Sequence, residues 1–201
     1  APEAGSADLR RRIGKPFSDE EILEAVASAR DMGASGVKMY FMVGLPWETE
    51  GDLRAISTLA ERAAGVGGRR WKVTAALSPF VPKPHTPFQW AAQLPPEEVR
   101  RRIGFVRSGC RRAKVSWNDP EAAAVEAALA MAGPGFSDVL ERAFRQGAVF
   151  DAWNDLLRKD VWFPLLRSCP TRVPEPGDAL PWDMVDTGVC REWLLEEYRR
   201  A

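Results

Sequence analysis

Apolar positions along this chain follow two rhythms, one of strands and one of helices. Val37–Val43 is continuously apolar apart from Lys38, the pattern of a strand covered on both faces. Side chains alternate along a strand. Lys38, Tyr40 and Met42 therefore share one face, and Val37, Met39, Phe41 and Val43 share the other. Trp71–Leu77 predicts a second strand, with Lys72, Thr74, Ala76 and Ser78 as a matching small, polar face. Helical spacing fills the intervals. Ser6 can cap a short helix through about Ile13. Ser18 and Glu21 have capping-box spacing before Ile22, Leu23, Val26 and Ala29, and Gly33 ends that element. Thr49-Glu50-Gly51-Asp52 opens a helix carrying Leu53, Ile56, Leu59 and Ala60, which Gly65–Gly68 breaks. Pro95-Pro96-Glu97-Glu98 starts another through about Arg112, and Lys114–Trp117 predicts a short strand.

Helices alternating with strands in this way predict a parallel sheet. Two or three strands cannot cover themselves, so further strands are expected on the N-terminal side. Ala1-Pro2-Glu3-Ala4-Gly5-Ser6 reads like a loop already under way, and the chain is expected to be a fragment. Beyond Asn118 the pattern becomes helical. Asp119-Pro120 leads an Ala-rich helix to about Met131. Ser137 is expected to cap a helix through Arg145, Asp151–Leu157 to form another, and Glu192–Arg200 to close as an amphipathic helix. The proline-rich stretch 168–182 predicts a loop or extended strap.

Composition narrows the function class. The 201 residues are 45% apolar, enough for one domain or slightly more, and 28 basic residues balance 28 acidic ones. That balance carries no nucleic-acid or membrane footprint, although a local patch stays open. Of the basic residues 6 are Lys and 22 Arg, which reads as coding bias. Cys110, Cys169 and Cys190 are 59 and 21 residues apart, spacings that suit neither a metal site nor a disulfide framework. A reducing, cytoplasmic setting is expected, with no membrane partner, since no signal peptide or bilayer-length apolar run is seen.

Loops that follow parallel strands build ligand sites. Two qualify here, Gly44–Glu50 and Ser78–Phe88. In the first, Gly44 and Pro46 fix a tight turn where backbone can approach a ligand. Glu48 could receive an amine or could simply favour the next helix N-terminus. Lys38 needs an anionic partner if it faces an interior, and none if it stands at an exposed strand start. The second loop is stiffened by prolines and contains His85, the only histidine, which excludes a two-histidine metal site. A surface role for His85 is the commoner case. Phe88 and Trp90 could form an aromatic wall or anchor the loop. Phe150–Trp153 and Leu180–Asp183 read as packing anchors.

At this point the residues resemble a known family. Tyr40–Thr49 is similar to the fifth-strand segment of radical S-adenosylmethionine (AdoMet) enzymes, where an apolar strand runs into Gly-x-Pro-x-Glu-Thr. Ser78-Pro79-Phe80 through Thr86-Pro87 resembles the sixth-strand segment, as in the Ser-Pro-x-x-Gly-Thr-Pro stretch of methylthiotransferases. Pro2–Ser6 resembles the AdoMet-holding loop after the fourth strand. The run Ser78–Trp90, with Asp119-Pro120-Glu121, Phe150–Trp153 and Leu180–Asp183, is most similar to a radical AdoMet subgroup with cobalamin-binding domains and unassigned function. The resemblance implies an α/β fold: the C-terminal half of a partial (β/α) TIM-like barrel over 1–113, then a mostly helical extension over 114–201.

It also implies a parent enzyme that cleaves AdoMet reductively at a four-iron four-sulfur cluster to modify an unidentified substrate, RNA and protein being candidates. Methyl or methylthio transfer would be the chemistry of its nearest families. This sequence lacks the Cys-x-x-x-Cys-x-x-Cys loop, so the cluster ligands would lie in a missing N-terminal half, its partner, and cobalamin would require a further upstream domain. The chain alone is then expected to be inactive. By the resemblance Glu3, Gly5 and Ser6 lie near the ribose or amino-acid end of AdoMet. Gly44, Pro46 and Glu48 shape the pocket, and Ser78, Pro79, Phe80 and Val81 run past the adenine. Strand alternation adds Lys38 and Tyr40. The alternative is a non-catalytic half-barrel that docks a protein or RNA partner.

Overall fold

Alternation along Gly36–Val43 decides the architecture of the first part of the chain. In the computed structural model Met39, Phe41 and Val43 are buried while Lys38 and Tyr40 are exposed, so one face of this strand (β1) packs and the other opens. The structure describes residues 1–68, 70–153, 155–169 and 172–201. It divides into two compact units, one formed by Ala1–Phe80 with Glu97–Asn118 and the terminal Ala201, the other by Val81–Pro96 with Asp119–Arg200.

The first unit is mixed α/β. Its elements are α1 (Ala7–Arg12), α2 (Asp19–Asp31), β1 (Gly36–Val43), α3 (Glu50–Val66), β2 (Lys72–Pro79), α4 (Pro96–Gly109) and β3 (Lys114–Trp117). The three strands form one parallel sheet in the order β1-β2-β3, with Lys38 beside Thr74 and Thr74 beside Lys114. Glu3 adds a single parallel bridge to Phe41 on the outer edge of β1. Helices begin where the chain caps them. Ser18 with Glu21, and Thr49 with Asp52, each close a complete capping box. Leu53, Ile56, Leu59 and Ala60 form the fully buried stripe of α3, which packs against β1 and β2. Each large apolar side chain buried here contributes about 1.5–3 kcal/mol. Between α4 and β3 the Glu61 carboxylate accepts the backbone N–H groups of Arg111, Arg112 and Ala113 at 2.9, 2.8 and 2.9 Å. Burial pushes that carboxyl upward, but these three donors outweigh it and hold its pKa below the usual range.

The second unit is helical: α5 (Pro120–Ala130), α6 (Ser137–Arg145), α7 (Lys159–Ser168) and α8 (Arg191–Arg200), with 3₁₀ turns at Pro87–Trp90 and Pro134–Phe136. One cluster gathers Val125, Phe136, Val139, Ala143, Trp162 and Leu165, and another gathers Trp90, Leu180, Trp182 and Leu194. The second cluster is organised by a buried amide. Gln89 Oε1 accepts the Trp182 indole N–H at 2.7 Å and the His85 backbone N–H at 3.1 Å.

Several expectations change. Asp151–Leu157 forms turns in its described residues rather than a helix; Asn154 lies outside them. Its Asp151 carboxylate instead accepts the Arg158 N–H, one residue before α7 starts. Phe150 and Trp153 are exposed and touch each other edge to face, so they are not core anchors, whereas Leu180 and Trp182 are buried. Ser137 does not cap α6, because the preceding 3₁₀ turn runs directly into the helix and puts Phe136 at the cap. Within the proline-rich stretch 168–182, Pro170 and Thr171 lie outside the described residues, and Ser168 ends α7. No helix among the described residues is long and apolar enough to cross a membrane.

Candidate functional site

Parallel strands send all their C-terminal ends to one edge of the sheet, and the segments singled out in the sequence meet there. The Glu3 N–H donates to the Tyr40 carbonyl at 3.0 Å, and the Met42 N–H donates back to the Glu3 carbonyl at 2.8 Å. Glu3 adopts φ 64°, a left-handed conformation that turns the chain away from the sheet immediately afterwards. Gly5 then lies against the first turn of α3. A Cβ built there would stand 2.3 Å from the Asp52 carbonyl oxygen and 2.5 Å from the Ile56 nitrogen. Gly5→Ala is therefore expected to cost about 1–3 kcal/mol. An unchanged denaturant midpoint would mean that the segment can retreat from α3.

Ser6 has two tasks. Its Oγ accepts the Leu9 N–H at 3.1 Å, capping α1, and donates to the Asp52 carboxylate. Burial pushes the Asp52 carboxyl upward, but the hydroxyl of Ser6 and the Thr49 donors prevail, and its pKa sits below the usual range. Arg10 holds the same segment from beneath. It is fully buried, and donates to the carbonyls of Gly5 at 2.7 Å, Ala4 at 3.3 Å and Phe17 at 2.7 Å, and to Asp19 at 2.6 Å.

The second segment is the turn after β1. Gly44 has φ 90°, a conformation open to glycine and strained for branched residues. Its N–H donates to Glu48 Oε2 at 2.9 Å, and the same oxygen accepts Arg102 Nη1 of α4 at 2.8 Å. Burial, the dominant influence, pushes the Glu48 carboxyl up against the pull of Gly44 and Arg102. So Glu48 does receive a cationic side chain, but one from its own fold. Pro46 is half-buried in this turn, and Trp47 stands exposed at φ 62°.

The third segment continues β2. The Phe80 N–H donates to the Val43 carbonyl at 2.8 Å, and Pro79 and Phe80 are buried. Ser78 Oγ accepts the Asn118 amide at 3.2 Å. Val81 and His85 belong to the second unit. The open face behind this edge presents Lys38, with its ammonium 5.0 Å from the Tyr40 ring centre, then Tyr40, Met42, Thr74 and Ser78.

The structure thus brings together Glu3, Gly5, Ser6, Gly44, Pro46, Glu48, Ser78, Pro79 and Phe80 along one edge, with Lys38 and Tyr40 on the adjoining open face. Sequence reasoning missed Arg10, Asp52, Arg102 and Asn118. Of these only Asp52 carried a local signal, its place three residues after Thr49. The side chains of Ser6 and Glu48 are engaged by the fold itself. Among the described residues, the Tyr40 hydroxyl, the Lys38 ammonium and the Ser78–Asn118 pair face the opening, whereas the Gly44 N–H is taken by Glu48.

No known family profile matches the chain, and no solved structure matches it. It is similar to Uncharacterized protein MJ0966 of Methanocaldococcus jannaschii, with 40% identity over 89 residues. The match spans 44% of this chain and 19% of that protein.

Proposed function

We propose that the first unit is the second half of a radical AdoMet barrel, and that its C-terminal sheet edge forms one wall of an AdoMet pocket. The observation that carries this reading is the two-sided sheet. Helices cover one face, the other is open and polar, and three loops with the family's order meet at the edge where parallel folds bind ligands. The chain's cysteines do not fit the cluster. Cys110 belongs to the first unit, Cys169 and Cys190 to the second, and the described residues contain no group of three His, Cys, Asp or Glu that could hold a metal. On this reading the cluster ligands, and any cobalamin domain, belong to other parts of the natural protein.

The edge fits AdoMet as a wall. Tyr40, Ser78 and Asn118 offer hydroxyl and amide groups, and the Gly44 turn, its N–H held by Glu48, shapes the rim beside them. When bound, AdoMet supplies a sulfonium centre for one-electron cleavage. The chain's own part is to orient it: Glu48 and Arg102 hold the turn closed, and Arg10 and Asp52 fix Glu3–Ser6.

The natural protein, prepared anaerobically with whatever segment precedes Ala1, is expected to form 5′-deoxyadenosine from AdoMet under reduction. Gly44→Val should weaken AdoMet binding about tenfold, since a branched Cβ at this φ costs roughly 1–2 kcal/mol. Gly44→Asn, which tolerates the conformation, controls for folding, and His85→Ala should leave affinity unchanged. If calorimetry on folded Gly44→Val protein gives the wild-type affinity, the edge is not the cofactor wall. The half-barrel would then be better described as a docking module.

A further inference from the structure

The open face of the sheet holds a feature of which the AdoMet reading uses only Lys38. Three of the chain's six lysines stand on it: Lys38 on β1, Lys72 on β2 and Lys114 on β3. Lys38, Thr74 and Lys114 are neighbours in one row across the three strands, and Lys72 stands two residues before Thr74 on the same face. Strand spacing and rise put the three lysine Cα atoms about 8–10 Å apart around Thr74, close enough for their ammonium groups to converge. All three are exposed, and no Asp or Glu occurs in any of the three strands. Among the described residues none of the three makes an ion pair, and their one side-chain contact is the Tyr40 ring beneath Lys38.

Like charges gathered without a counterion call for an anion. A carboxylate would balance only one of them. A phosphoryl or diphosphoryl group carries two or three charges and several acceptor oxygens, and lysine serves such groups as a point charge. The central Thr74 hydroxyl adds a neutral donor. The geometry points to a binding site for a small phosphate-bearing ligand on this row. A nucleic-acid backbone fits less well, because the chain as a whole is electrically balanced and the face offers one aromatic ring. The site borders the proposed AdoMet wall at Lys38 and Tyr40 but does not depend on it. It occupies the N-terminal half of the strands, and its test involves no AdoMet.

Inorganic pyrophosphate serves as the probe. Titrated into the full chain, it should bind saturably, and more weakly as salt rises. The variant K38Q/K72Q/K114Q should lose about tenfold or more in affinity, since three exposed charge contacts each add modestly to binding. The variant K15Q/K83Q/R199Q removes equal charge from exposed positions elsewhere and should bind as wild type. A second measurement needs no mutation. Pyrophosphate should slow reductive methylation of Lys38, Lys72 and Lys114 relative to Lys15 and Lys83. Absent binding, equal loss in both variants, or equal protection of all lysines would overturn the assignment. So would a single-stranded oligonucleotide that binds the row far more tightly than pyrophosphate.

Discussion

Arg10→Ala is expected to cost about 3–5 kcal/mol, a large share of the roughly 5–15 kcal/mol that holds an ordinary domain folded. Arg10 is fully buried and its guanidinium touches three carbonyls and a carboxylate, so truncation leaves three carbonyls without this donor, while Asp19 keeps Arg62 at 2.8 Å. Arg10→Lys should recover little of the loss. A single ammonium cannot reach the Phe17 carbonyl, the Ala4 and Gly5 carbonyls and Asp19 from one position, whereas a planar fork can. The damage should spread to the sheet edge. Ala4 and Gly5 hold Glu3 in register, and Glu3 accepts the Met42 N–H. Amide exchange at Met42 should therefore accelerate more than at the buried centre of α3. Denaturant unfolding of Arg10→Ala with a loss under about 1 kcal/mol would show that water replaces the guanidinium without strain.

The contrast between Arg10 and Ser18 shows what the sequence made legible. Ser18 and Glu21 announce a helix start because their partners lie three residues away, and the structure contains that capping box. Thr49–Asp52, the alternation of β1 and the Asp119-Pro120 start were readable for the same local reason. Arg10 sits in a run of three arginines, a pattern that ordinarily marks a solvated helix face. Its burial depends on a loop folding back over it. Arg102 is likewise unreadable, since its partner Glu48 is 54 residues away. Helix α7 was missed because Pro164 lies inside it, and proline normally argues against a helix interior. The exposed Phe150 and Trp153 were misjudged for a related reason: an aromatic pair looks like a core anchor until the surrounding elements are in place. Loops that follow strands declared which segments would gather at the C-terminal edge of the sheet. Which of their side chains the fold would occupy was a matter of long-range pairing.

Glu48 is the sharpest case, and its removal should produce the second large effect. Glu48→Ala is expected to cost about 3 kcal/mol, the low end for breaking a buried pair, because Arg102 keeps Glu98 at 2.9 Å. Glu48→Gln retains an acceptor for the Gly44 N–H and should lose less. The two carboxylates also predict opposite responses to pH. Burial raises the Glu48 pKa above its ordinary 4.5, so the folded state takes up this proton more readily than the unfolded chain. That contribution is fully present below pH 4.5 and is lost as pH rises through the folded value. Glu98, bonded to Arg101 and Arg102, is lowered to about 2, so its contribution is present above 4.5 and is lost as pH falls toward 2. Glu48→Gln should therefore abolish the decline in stability above pH 4.5 and leave the acid-side loss intact. The same turn links stability to the proposed site. Because Glu48 bonds Gly44 directly, Glu48→Ala and Gly44→Val disturb one structure, and their effects on AdoMet affinity should combine to less than their sum. Fully additive losses in that double-mutant cycle would mean that Glu48 and Arg102 stabilise the fold without shaping the turn.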